Sequence, residues 1–153
     1  MSDTDVATGR ARDRAAIEEL RAAYCYRLDD GDVDGWVDLF TEDAVVDYVS
    51  RDDLLVGREE IRGLAREWIV ERDETRVHTV HNPVIELDGD AASGRWYYRA
   101  VTLAPDGSGL REQGRYDEQY RRVDGDWKIA RLETTVTYEA PAESGWADVD
   151  PHR

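Results

Sequence analysis

Three turns of one kind punctuate the second half of the chain: Asp88-Gly89-Asp90, Asp106-Gly107-Ser108 and Asp124-Gly125-Asp126. Asp-Gly between alternating apolar and polar runs is the strongest short-range hairpin signal, because glycine supplies the positive φ that a tight β-turn needs. The runs between the turns, 76–87, 91–103, 110–123 and 127–138, alternate with period two. They predict four antiparallel strands in a meander, and everything else in the chain has to pack on that sheet.

The first half follows the helical period instead. Ile17, Leu20, Tyr24 and Leu28 recur on one face and predict a helix from Asp13 to Asp30, with Asp13 as its cap and Gly31 just past its end. Val33, Trp36, Val37 and Phe40 predict a short second helix, Ala44 to Val49 a strand, and Ser50 to Asp53 a polar turn. Ile61, Leu64, Ala65, Trp68 and Ile69 form the apolar face of a third helix that stops at Asp73 and Glu74. Residues 1–10 and 141–153 read as loose tails, the latter with Trp146 as an anchor. Helices segregated beside an antiparallel sheet make an α+β fold, here one domain over residues 1–153 with its core at about 13–139.

The charge balance narrows the partners. Thirty-five acids against twenty bases leave a net charge of −15, which disfavours nucleic acid and anionic membrane surfaces. The acids are spread along the chain, as on a solvated acidic surface. No apolar run approaches the roughly 18 residues of a membrane span, and the N-terminus lacks the pattern of a secretory signal. One cysteine, Cys25, rules out an intrachain disulfide, and a cytoplasmic protein is expected. No glycine-rich phosphate loop, nucleophile elbow or cysteine pair is present, which argues against nucleotide and serine-hydrolase chemistry.

What remains is scarce histidine and abundant tyrosine. His78 and His81 lie three apart on one strand and so point to opposite faces, which argues against one shared metal ion; no metal site is expected. His78 shares its face with Asn82. Asp29 sits in the last turn of a helix, facing the negative end of the dipole, at a cost on the order of 0.3–1 kcal/mol unless a cation or hydrogen bond offsets it. A histidine would be such a partner. Tyr24, Tyr48, Tyr98 and Tyr116 are amphipathic, and their hydroxyls need partners when buried; with Thr102 and Asn82 they are the candidate substrate contacts.

These residues fall in stretches that resemble the SnoaL-like branch of the NTF2-like superfamily, in the group of scytalone dehydratase and γ-hexachlorocyclohexane dehydrochlorinase. The matching stretches are Ala16-Ile17-Glu18-Glu19-Leu20 through Asp29, Trp36 to Ala44, Val46-Asp47-Tyr48, His78-Thr79-Val80-His81-Asn82, and Tyr120 through Trp127-Lys128-Ile129. The resemblance implies a cone-shaped fold, a curved and mostly antiparallel sheet with three helices from the N-terminal half over its open side. It also implies a catalytic dyad. His78 would be the general base that takes a carbon-bound proton, Asp29 would fix its tautomer, and Tyr48 would help activate a substrate carbonyl. Such a dyad needs no cofactor and no metal. The expected activity is a lyase (a dehydratase or similar β-elimination) or an isomerase, acting on a small apolar ring compound. A homo-oligomer, dimer or trimer, is expected through the outer sheet face.

The chain departs from both enzymes of that group. Where scytalone dehydratase carries a second pocket histidine, this chain reads Tyr98-Arg99-Ala100-Val101-Thr102-Leu103, and Tyr116 stands in place of a pocket asparagine. Tyr24 stands where the dehydrochlorinase has a polar or basic side chain. Two other readings fit the same fold: a polyketide-cyclase-like or ketosteroid-isomerase-like enzyme with a carboxylate base, and a non-catalytic ligand-binding or assembly subunit.

Overall fold

The computed structural model describes residues 3–48, 54–72 and 74–141. Helix α1 (Asp3–Asp30) is followed by a short α2 (Val33–Val37), strands β1 (Phe40–Tyr48) and β2 (Leu55–Val56), and α3 (Arg58–Ala65), which widens into a π-helical turn at Arg66–Glu71. The meander is β3 (Thr75–Asp88), β4 (Ala91–Leu103), β5 (Gly109–Val123) and β6 (Asp126–Pro141). The strands form one six-stranded sheet in the order β2-β1-β6-β5-β4-β3. Only β1 and β6 run parallel; every other pair is antiparallel.

The turns take the predicted backbone. Gly89, Gly107 and Gly125 all have positive φ, and Asp124 joins Gly125 there at φ 52°, as a two-residue hairpin turn requires. Gly31, at φ 81°, ends α1, and the Asp32 amide folds back onto the Arg27 carbonyl at 2.9 Å. Asp32 then caps α2 by accepting a hydrogen bond from the Gly35 amide. The two helices are thus joined at a fixed angle by one glycine and one aspartate.

The sheet is curved. Its register slips between His81 and Val84, between Phe40 and Val45, and at two points along β5 and β6. Such irregularities bend and twist a strand pair. Helix α1 lies across the concave side and buries Ile17, Leu20, Tyr24 and Leu28 against it. The inner faces of β4, β5 and β6 answer with Trp96, Tyr98, Tyr116, Tyr120, Ile129 and Leu132.

Several expectations are corrected. Residues 3–10 are not a tail but the first turns of α1. Asp13 is therefore not a cap; it lies inside the helix and accepts hydrogen bonds from Arg122 (2.7 Å) and Trp127 (3.2 Å), pinning α1 to the sheet. The second helix stops at Val37, and Phe40 opens β1, because Phe40 sits opposite Ile129 of β6. Leu55 and Val56, between the predicted turn and the third helix, pair with Val46 and Val45 as an edge strand. Strand β6 runs past Tyr138 to Pro141, opposite Leu110. The predicted turn at Ser50 to Asp53 and the predicted anchor Trp146 lie outside the described residues.

Candidate active site

The last turn of α1 comes down beside β3. Asp29 there uses both carboxylate oxygens on one residue: Oδ2 accepts from the His78 backbone amide at 2.7 Å, and Oδ1 lies 2.6 Å from His78 Nδ1. The amide contact fixes the carboxylate relative to the strand. The second contact then makes Nδ1 the protonated nitrogen, which leaves Nε2 as the acceptor. Both side chains are largely shielded, with 14% of His78 and 18% of Asp29 exposed. The helix-end position that disfavours an acid is thereby offset by two hydrogen bonds.

His78 lines a cavity of about 1120 Å³ between the helices and the concave sheet. That is room for a ligand of several rings. Tyr24, Tyr48, Tyr116 and Thr102 line it as well. The Tyr24 and Tyr48 hydroxyls are 2.7 Å apart, so one donates to the other and the pair keeps one hydrogen to offer a ligand. Burial pushes both phenols above their ordinary pKa, and they stay neutral donors. Trp68, from the π-helical turn, packs on Tyr48 with ring centroids 4.8 Å apart and forms part of the wall.

Two predicted contacts lie elsewhere. Asn82 is exposed at φ 55°, within the β3 register slip, with Oδ1 2.5 Å from His81 Nδ1. Strict period-two alternation would have put it on His78's face; the slip ends that alternation. His81 itself packs beside Tyr97, with ring centroids 5.8 Å apart. Tyr98 is 1% exposed and sits behind the wall, stacked on Tyr116 at 4.3 Å, with its hydroxyl donating to Glu112 at 2.5 Å. Among the described residues, no three His, Cys, Asp or Glu side chains converge as metal ligands.

Sequence reasoning passed over what lies beneath the tyrosines. Arg21 is fully buried, its guanidinium held between the Tyr24 and Tyr116 rings at 3.8 and 3.9 Å and 3.0 Å from Glu118. Burial works against the Arg21 charge, but Glu118 and the surrounding tyrosines outweigh it and hold the guanidinium protonated. Glu118 in turn accepts from the Tyr120 hydroxyl, which accepts from Trp96 Nε1 at 2.8 Å. The signal was readable: Arg21 is four residues after Ile17 and three before Tyr24, on the buried stripe of α1, and Glu118 alternates with Tyr116 and Tyr120 on an inward face.

The comparisons agree with this architecture. A family model described as "SnoaL-like domain" matches residues 9–133. A solved structure of a protein provisionally named a scytalone dehydratase, from Novosphingobium aromaticivorans, is 25% identical with a TM-score of 0.78, covering 92% of this chain and 91% of that one. A protein from the same bacterium provisionally named an aromatic ring hydroxylase is 29% identical with a TM-score of 0.79, over 86% of this chain and 94% of that one. A hexachlorocyclohexane dehydrochlorinase, LinA type 2, superposes with a TM-score of 0.83 over 98% of this chain and 99% of that one; at 22% identity it attests the fold.

Proposed function

The chain belongs to the SnoaL-like domain family, and from that footing we propose that it is a cofactor-independent lyase or isomerase that removes a carbon-bound proton from a small ring compound. His78 is the base in this proposal and Asp29 its positioning partner. The observation that carries it is the double contact of Asp29 on His78 at the edge of a large cavity. With Nδ1 committed to Asp29, Nε2 has the lone pair that takes the proton. The carbon's electron pair then forms a double bond as a β-leaving group departs, or receives a proton at another carbon. The imidazolium that results is stabilised by the Asp29 carboxylate. The Tyr24–Tyr48 pair supplies a neutral donor for a substrate carbonyl, which lowers the cost of charge developing on oxygen.

Relatives named a scytalone dehydratase and an aromatic ring hydroxylase support a ring compound as substrate. The aromatic walls of Tyr24, Tyr48, Trp68 and Tyr116 support it independently. We also propose self-association through the outer sheet face, where Val77, Val84 and Tyr97 are each more than half exposed.

Proton abstraction can be tested without knowing the leaving group. In D₂O, the wild type is expected to speed deuterium exchange at the α-carbon of an enolisable cyclic ketone from a panel that includes 1-tetralone, read by NMR. The variant His78→Ala should lose about 10²- to 10⁴-fold of that acceleration. Full exchange activity in His78→Ala would reject the dyad and favour a carboxylate base on the same fold.

A further inference from the structure

Glu112 lies on the cavity wall directly across from His78. In the sheet register His78 faces Ala100 on β4, Ala100 faces Glu112 on β5, and Glu112 faces Glu139 on β6. All four line the cavity. Neighbouring strands are about 4.8 Å apart, so the His78 and Glu112 backbones stand roughly 10 Å apart. Ala100, between them, offers only a methyl group. The gap between base and carboxylate is therefore open and about as wide as two fused rings.

Glu112 is also held in place. The Tyr98 hydroxyl donates to its Oε1 at 2.5 Å, and Tyr98 is itself fixed by stacking on Tyr116. Burial, with help from Glu112, keeps the Tyr98 phenol well above its ordinary pKa, so it remains a donor. A carboxylate has two oxygens and accepts only. With Oε1 committed to Tyr98, Oε2 is the acceptor Glu112 has for a ligand. The surrounding field has the same sign: five glutamates line the cavity against Arg72 and Arg76. Arg72 reaches Glu67 at 3.3 Å, and Arg76 donates to the Trp68 carbonyl at 2.7 Å.

We propose that Glu112 forms a second polar subsite opposite His78, which binds the hydroxyl or protonated amine of a fused-ring compound and turns away ring carboxylates. It rests on the reading of this cavity as the substrate site, but not on proton abstraction by His78. A donor at one end of a bicyclic ligand meets Glu112 while the other end lies against His78. A carboxylate in that position would meet Glu112 and Glu139 as like charges.

Isothermal titration calorimetry at pH 7 with 2-naphthol and 2-naphthoate is the test. The wild type is expected to bind 2-naphthol at least tenfold more tightly than 2-naphthoate. In Glu112→Gln, which keeps the shape, and in Glu112→Ala, that ratio should fall to within about threefold of one, through weaker naphthol and stronger naphthoate binding. Tyr98→Phe should reduce the ratio by a smaller factor, since it only unfixes the carboxylate. A ratio unchanged in both Glu112 variants overturns the subsite, as does a wild type that prefers naphthoate or binds neither probe. Lost dependence of exchange on His78 with an intact ratio counts against the dyad alone; intact dyad behaviour with an unchanged ratio in the Glu112 variants counts against the subsite alone.

Discussion

Asp29 grips His78 by two atoms at once, the backbone amide at 2.7 Å and Nδ1 at 2.6 Å. A contact to the ring alone would leave the carboxylate free to swing with it. Because one oxygen is tied to the strand, the position of the other defines both the tautomer and the plane of the ring. The double contact couples the end of α1 to β3 at the cavity.

Asp29→Asn should preserve the fold and lose the chemistry. The amide oxygen can still accept from the His78 backbone, but its NH₂ then faces Nδ1 as a donor and favours the opposite tautomer. Deuterium exchange should fall by at least about 10²-fold. The ¹⁵N shifts of His78 should move from a protonated Nδ1 in the wild type to a protonated Nε2 in the variant. Unchanged shifts together with unchanged exchange would mean that Asp29 does not set the tautomer.

Removing one hydroxyl of the buried tyrosine pair should cost stability. Tyr24→Phe leaves Tyr48 without its partner at 2.7 Å, at about 1–3 kcal/mol. For a domain of this size that corresponds to a fall of several degrees in melting temperature. Both phenols are raised above their ordinary range, chiefly by burial, so neither should ionise in a spectroscopic titration carried to pH 10.5.

The Arg21–Glu118 pair should behave asymmetrically. Arg21→Met leaves Glu118 as an uncompensated buried carboxylate and should destabilise by about 3–5 kcal/mol. Replacing both residues, as Arg21→Met with Glu118→Gln, should recover much of that loss in urea unfolding. Additive losses would show that the two charges do not depend on one another.

Acid should loosen the seam between α1 and the sheet. The Arg122 guanidinium beside Asp13 holds its carboxyl below the usual 3.8. A depressed folded pKa contributes stability that is present above the unfolded value and is lost as pH falls through the folded one. Part of the wild-type loss of stability below about pH 4 should therefore vanish in Asp13→Asn, which starts less stable at pH 7. Thermal melts from pH 2.5 to 7 measure both.

The sheet was legible because its turns are chemically explicit. Asp-Gly needs positive φ, and Gly89, Gly107 and Gly125 all adopt it. The Asp29–His78 pairing was implied by the family resemblance; the helix dipole marked only Asp29, as an acid in want of a partner. The start of α1 was hidden, since residues 4–10 are exposed and carry no apolar stripe. Asn82 was misassigned because a register slip announces itself only weakly, and alternation was carried two residues too far. Glu112 was overlooked for a plainer reason: among 35 acids, nothing local marks the one whose strand register carries it across from His78.

Ala100 gives the cavity a separate adjustment for size. It faces His78 on one side and Glu112 on the other, yet touches the chemistry of neither. A change there to valine or leucine would shorten the gap without disturbing Asp29, the tyrosine pair or Arg21. Selectivity for ligand length can thus drift through a single codon while the machinery stays intact. A scaffold arranged this way can diverge in what it accepts well before it diverges in what it does.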